Sequence, residues 1–188
     1  MPILILILLF AVVALGYIFY AYNRLTQLRN VCETEWAQVD VLLKKRADLI
    51  PNIVEVVKGY AKHEREVLER LSRARTEAVA SGGRSGSEET SLSSHIKSIL
   101  ALREQYPDLK ASEDFQRLQA TLFELEDEIA ERRSNYNDVV KAHNDFVLKF
   151  PANVVASMTG FYLMGLFEFI GSREAPRLDL TLGEERVL

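Results

Sequence analysis

The sequence predicts an all-α protein: an N-terminal transmembrane helix followed by an antiparallel four-helix bundle with long coiled-coil-like helices. Three observations carry that expectation. An uninterrupted apolar run opens the chain, apolar residues then recur every three or four positions, and strand-like alternation is absent throughout.

Between Pro2 and Tyr22 there is no ionisable side chain other than tyrosine. As a helix, rising about 1.5 Å per residue, this stretch reaches roughly 30 Å, the hydrocarbon thickness of a bilayer. Thirteen strongly apolar residues, Ile3 to Phe10 and then Val12, Val13, Leu15, Ile18 and Phe19, fill it. Each favours insertion by about 0.3–0.6 kcal/mol near the bilayer centre, roughly 4–8 kcal/mol in all. The competing reading is a cleaved secretory signal, for which Ala14-Leu15-Gly16 would serve as the small-residue site. No Lys or Arg precedes the run, and it continues through Tyr17, Ile18, Phe19, Tyr20 and Tyr22, tyrosines placed as an interfacial belt. A retained anchor at 1–22 is the stronger reading.

Of the 188 residues, those beyond the anchor suffice for one domain with a real core. A net charge of −4 argues against nucleic acid as a partner. The single cysteine, Cys32, excludes an intramolecular disulfide and is expected to be a small buried thiol.

The bundle is expected over 23–149. Leu25, Leu28, Cys32, Trp36, Val39, Leu43, Ile50, Ile53, Val57, Tyr60, Val67, Leu71 and Ala74 keep one helical seam, interrupted only by Arg46. Pro51 divides this stretch. The seam keeps phase across it, as one long helix would. However, Asn52-Ile53-Val54-Glu55 has the pattern of a new helix start, so a turn is expected, with helices at about 23–49 and 52–80.

The polar run from Ser81 to Ser91 reads as a flexible linker, because no Gly-Lys-Ser or Gly-Lys-Thr follows its glycines to make a phosphate loop. A shorter helix at about 90–105 ends at Pro107-Asp108. Ser112 is placed to cap a last helix at 112–149, in which Phe115, Leu122, Ile129, Tyr136, His143 and Phe150 interlock with Leu118, Leu125, Arg132, Val139 and Phe146 as two heptad series. Residues 150–171 form an apolar segment expected beside the membrane, with insertion or an oligomer contact as alternatives. A loose charged tail is expected at 172–188.

Over 22–75 and 106–161 the chain resembles the LemA family of bacterial membrane proteins. The resemblance rests on Trp36, the string Asp48-Leu49-Ile50-Pro51-Asn52, Lys58-Gly59-Tyr60, Tyr136-Asn137, Asn144 and Phe150-Pro151. The sequence departs from the family pattern at His143, where Tyr is usual, and at Cys32, where a charged or polar residue is common. The resemblance implies an envelope protein with one N-terminal span and an antiparallel four-helix bundle, and it supplies no activity.

Motifs for chemistry are weak. His63-Glu64 opens like a zinc-protease motif, but Val67 stands where the second histidine belongs. The acidic stretch Glu124, Glu126, Asp127, Glu128 and Glu131 lacks the Glu-x-x-His pairs of a di-metal bundle and reads as a solvated face. No enzyme, cofactor or metal site is expected. Arg46, Asp48, Asn52, Glu55 and Lys58 surround the expected membrane-distal turn. Asp48 or Glu55 is expected to neutralise Arg46, giving a bundle-end network or a docking surface. Asn137 and Asn144, with Tyr136, share one helix side and are expected to set register or meet a neighbouring subunit. Val154, Val155, Phe161, Leu163, Leu166 and Phe167 form the membrane-proximal apolar patch.

The expected function is non-enzymatic: a membrane-anchored bundle that binds lipid, homo-oligomerises and organises or remodels the bacterial membrane. The alternative is a tethered adaptor or sensor docking another envelope protein. Arg24, Arg29 and Lys44-Lys45-Arg46 after the span favour a cytoplasmic bundle on the plasma (inner) membrane.

Overall fold

One helix, α1, runs from Pro2 to Tyr60 and is shared between the apolar run and the bundle. At 59 residues it is about 88 Å long. A computed structural model describes residues 1–83 and 86–167 of the chain; the expected tail at 172–188 and the last four residues of the 150–171 segment lie outside them. After α1 come α2 (Arg65–Ala80), α3 (Gly86–Ala101), a 3-10 turn (Leu102–Glu104), α4 (Pro107–Ala111), α5 (Glu113–Leu148) and α6 (Ala152–Thr159). Among the described residues there is no strand.

The first fifteen residues of α1 stand clear of the bundle, with Ile3 to Phe10 exposed, and Tyr17 is the first to pack against it. The buried face begins at Ala21 and continues through Leu25, Cys32, Val39, Leu43, Arg46, Ile50, Ile53 and Val57. The α5 helix lies antiparallel along it. Val147 meets Ala21 and Leu25, Ile129 and Leu125 meet Val39, Leu42 and Leu43, and Phe115 and Leu122 reach the cluster around Ile50, Ile53 and Val57. Ser112 caps α5 as expected, its hydroxyl accepting from Phe115 N at 3.4 Å. The second heptad series slips by one residue along the helix: Leu125 is buried, but Val140 and Val147, not Val139 and Phe146, are buried further down. A straight helix of 3.6 residues per turn drifts about 20° per heptad, which moves the seam this way.

The turn expected at Pro51 does not form. Proline leaves the carbonyl of Ala47 without its helical donor, and Arg75 of α2 supplies one, its Nε donating to Ala47 O at 2.7 Å. The reversal falls instead at residues 61–64, where Glu64 N donates to Ala61 O at 3.1 Å and Tyr106 Oη donates to the Glu64 carboxylate at 2.9 Å. The second helix is therefore 65–80, not 52–80. The stretch expected as a linker is also shorter, because α3 starts at Gly86 and contains Glu88, Glu89, Thr90 and Ser91.

Helices α2 and α3 have 16 residues each, against 36 in α5, so they flank only the distal part of the α1–α5 pair. There Leu68, Leu71, Leu92, Ile96 and Ile99 close a four-helix core. Their connection passes over α1 at Gly83, whose φ of +69° suits glycine and whose added Cβ would lie 2.5 Å from Leu43 Cδ1. Nearer the apolar run the bundle has two long helices, α6 and residues 161–167.

The Arg75–Ala47 contact generates a prediction. Arg75→Ala is expected to cost about 1–2 kcal/mol, since a buried carbonyl loses its donor. In a Pro51→Ala background the cost falls by about 1 kcal/mol, because position 51 regains an N–H for the same carbonyl. Urea unfolding of the four proteins of this cycle checks it.

Candidate functional site

Two polar constellations stand out, both on the face that α5 turns to α1. The first surrounds Arg46. On the α1 seam it is almost wholly buried, and its guanidinium is bound by carboxylates from two other helices. Arg46 Nη2 pairs with Glu89 of α3, and Nη1 donates to Glu126 of α5 at 2.8 Å and to Ser93 Oγ at 2.9 Å. Burial pushes the Glu89 carboxyl up from its ordinary 4.5, against the pull of Arg46 and Arg133. Burial, with Arg46 close by, lowers Arg133 to about 10, so it stays charged at neutral pH. Two guanidiniums and two carboxylates thus balance where the bundle changes from four helices to two.

This is not the expected network. Asp48 reaches Arg75 at 3.8 Å, not Arg46, and Asn52, Glu55 and Lys58 are exposed along α1 above the cluster. The turn that was to gather them is absent. Glu89 was missed because it stands in a Ser- and Gly-rich run that reads as a linker. Its only sequence signal is the unmatched Arg46 itself.

The second constellation is a strap. Gly160, at φ +76°, ends α6, and Phe161 N donates to Ala156 O at 3.0 Å. Residues 161–167 then run back along α5, away from the apolar end of α1. Asn144 Oδ1 accepts from Met164 N at 2.8 Å while its Nδ2 donates to Met164 O at 2.8 Å. Asn137 does the same for Phe167, accepting from its N at 2.8 Å and donating to its O at 3.1 Å. Tyr136 Oη donates to Gly165 O at 3.2 Å.

A carboxamide carries one acceptor and two donor hydrogens, so each Asn pairs with one residue's backbone as a neighbouring strand would. The spacing follows. Seven helical residues span about 10.5 Å, and three extended ones about 10 Å. The two asparagines therefore hold this chain's own C-terminal segment. They sit beside the α1 seam, and their carboxamides are taken up by this chain's own backbone.

Phe167 ends the described strap in an aromatic clasp. Its ring stacks on Trp36 at 6.0 Å, Trp36 meets Tyr136 edge-on at 5.3 Å, and Arg133 Cζ lies 3.8 Å above the Phe167 ring. Cys32 is buried beneath, its thiol pKa pushed up by burial. Arg133 thus touches both constellations, placing the strap's end against the charges around Arg46.

The patch residues divide. Val155 packs inward on Ala21 and Leu25 with Ala156, Phe161 stacks edge-on with Tyr22 at 5.9 Å, and Phe167 enters the clasp. Val154, Leu163 and Leu166 face outward.

The LemA family model matches residues 35–180, which covers α5, α6 and the strap. The chain belongs to the LemA family. A relative named Protein LemA, from Metamycoplasma hominis, is 27% identical over 186 residues, covering 95% of this chain and 83% of its own. Magnetosome protein MamQ 2 of Paramagnetospirillum magneticum is 23% identical over 193 residues, covering 87% of this chain and 71% of the relative. Magnetosome protein MamQ of Magnetospirillum gryphiswaldense is 21% identical over 192 residues with the same coverage. Among the described residues one helix, Pro2–Tyr60, is long and apolar enough to cross a bilayer, as suits a membrane-associated member of the LemA family.

Two measurements follow from the site. Replacing Asn137 and Asn144 together by Ala removes both backbone clamps. Trp36, the single tryptophan, should then shift its emission to the red, and the amides of Met164 and Phe167 should lose exchange protection. For Glu89 the raised folded pKa sets the sign. Its stabilising contribution is complete below the unfolded value and is lost as pH rises through the folded one. The stability of the wild-type protein relative to Glu89→Gln should therefore fall as pH climbs above 4.5, read by urea unfolding across that range.

Proposed function

We propose that this protein is a single-pass, non-enzymatic bundle of the bacterial plasma membrane that self-associates side by side and so organises or remodels the bilayer. One observation carries this reading. In the membrane-proximal half the α1–α5 seam is covered on one flank by the strap and is open on the other. The open flank is a groove of about 420 Å³ between Ala37, Gln38, Val41 and Lys45 of α1 and Glu128 and Arg132 of α5. Arg132 Nη1 bridges it, donating to Gln38 at 2.6 Å, and Val31 and Val41 stay exposed beside it.

Copies anchored in one bilayer stand parallel, so open flanks meet at the same height. Lys45 and Glu128 give each flank both signs of charge, which favours a specific register between copies. The basic residues Arg24 and Arg29 just past the span favour a cytoplasmic bundle.

A second reading, a tethered adaptor, draws on a different feature. At the far end of the stalk a groove of about 720 Å³ has Val54 and Leu68 on its floor and Lys58, Lys62, Arg73 and the Arg65–Glu69 pair around its rim, a net positive lining. Its charge suits an acidic segment of another envelope protein.

Cysteine crosslinking separates the two. In a Cys32→Ala background, Val41→Cys should give a ladder of homo-oligomers in membranes, and Lys97→Cys on the exposed side of α3 should not. Protein that stays monomeric in detergent and gives no homodimer from Val41→Cys, while Lys58→Cys captures one foreign partner, would defeat self-association.

A further inference from the structure

We infer that α6 and the start of the strap form a second lipid-binding site, seated in the headgroup region beside the point where α1 leaves the bilayer. The inference rests on α1 being a retained anchor, but not on self-association. Between Phe150 and Phe167 there is no Asp, Glu, Lys, Arg or His. The inner face of α6, Ala152, Val155 and Ala156, is buried, and Val155 and Ala156 pack on Ala21 and Leu25. Its outer face is not covered. Val154 and Met158 on it are exposed, Met158 by 78%, and Leu148 and Phe150 before the helix and Tyr162 and Leu163 after it are open too, Phe150 by 77% and Tyr162 by 79%.

Height identifies the occupant. The apolar run occupies about 20 residues, or roughly 30 Å, the hydrocarbon thickness. Ala21 and Leu25 are the next inward-facing positions, so α6 is fastened within the first turns of α1 beyond the hydrocarbon. Tyr22 against Phe161, at 5.9 Å, ties the strap's first residue to the same level. An amphipathic segment there buries its apolar face about 5–10 Å into the boundary between headgroups and acyl chains. The open face of α6 is thus continuous with the lipid-facing surface of α1. Lys149 and Arg24 are exposed next to it, placed to meet lipid phosphates. Asn153 and Ser157 edge the apolar stripe on α6, as suits a helix lying in the interface plane. A second copy is the rival occupant, but the face has no acid between Phe150 and Phe167 to pair with Lys149 or Arg24 of a neighbour and set its register.

The site gives the stalk two attachments, a span and an interfacial foot. The foot is wired through Asn144 and Asn137 to the mid-height clasp at Phe167, so contact with the bilayer fixes how the bundle leans on it.

The test uses the full chain with Cys32→Ala and a polarity-sensitive fluorophore on Met158→Cys or Tyr162→Cys, with Thr76→Cys on exposed α2 as the control. Vesicles of mixed zwitterionic and anionic phospholipid carry a nitroxide near the top of the acyl chains, and protein is diluted until copies do not meet. Labels at positions 158 and 162 should emit to the blue and lose most of their intensity to the nitroxide, and the label at 76 should do neither. Asp at both Val154 and Met158, exposed positions that leave the core intact, should abolish quenching at position 162. If the protein stays on the vesicles while labels at 158 and 162 behave as at 76, the inference is overturned. Shielding seen only at high protein density overturns it in favour of a second copy. Protein that fails to float with the vesicles contradicts the anchor itself.

Discussion

The structure depends on one constraint: a single unbroken helix serves two solvents. Residues of α1 up to Gly16 are apolar and open on nearly every side, Tyr17 begins the packing, and from Ala21 onward the same helix shows a buried stripe against α5. Nothing flexible separates the two regimes, so the bundle inherits the axis of the span. Pro51 threatens that continuity from within, and the side chain of Arg75 removes the threat by occupying the carbonyl that proline leaves bare. The stalk can therefore place its distal end at a set distance from the bilayer, which a hinged tether cannot.

Around this axis the packing changes with height. The distal half closes a four-helix core with aliphatic side chains from α1, α2, α3 and α5. Where the short helices stop, that core would open to water, and Arg46, Glu89, Glu126 and Arg133 occupy the level. Buried ion groups of this kind do little for net stability, because desolvation offsets much of their attraction. Here they join α1 to α3 and to α5. Further down, two helices alone cannot bury their seam, and the chain returns its own C-terminal segment to cover one flank. The other flank and the outer face of α6 stay open, and both are available to lipid or to a neighbouring copy.

Much of this was legible in the sequence, and the exceptions share a cause. The apolar run, the seams of α1 and α5 and the Ser112 cap depend on residues within a few turns of one another, and periodicity reports those. Pro51 was read as a turn because its compensation comes from Arg75, 24 positions later in the chain. Glu89 was hidden in a composition typical of linkers, although the unmatched charge of Arg46 on the seam announced that some carboxylate had to reach it. Asn137 and Asn144 were noticed for their seven-residue spacing, but the spacing alone does not say whether the facing backbone belongs to another subunit or to this chain. Phe167 likewise read as part of a lipid-facing patch. Its place against Trp36 and Arg133 is fixed by the strap's path, which no local pattern encodes.

The proposed scaffold acts through shape and placement at the membrane, which needs α1 to stay unbroken. The measurement that tests this most directly is a pulsed electron-spin distance between labels at Phe19 and Lys58, with Cys32 replaced by Ala and the protein in lipid nanodiscs. An unbroken helix places these backbone positions about 58 Å apart in one narrow distribution. A distance near 35 Å, which a reversal at Pro51 gives, or a broad distribution from a hinge, would contradict the account.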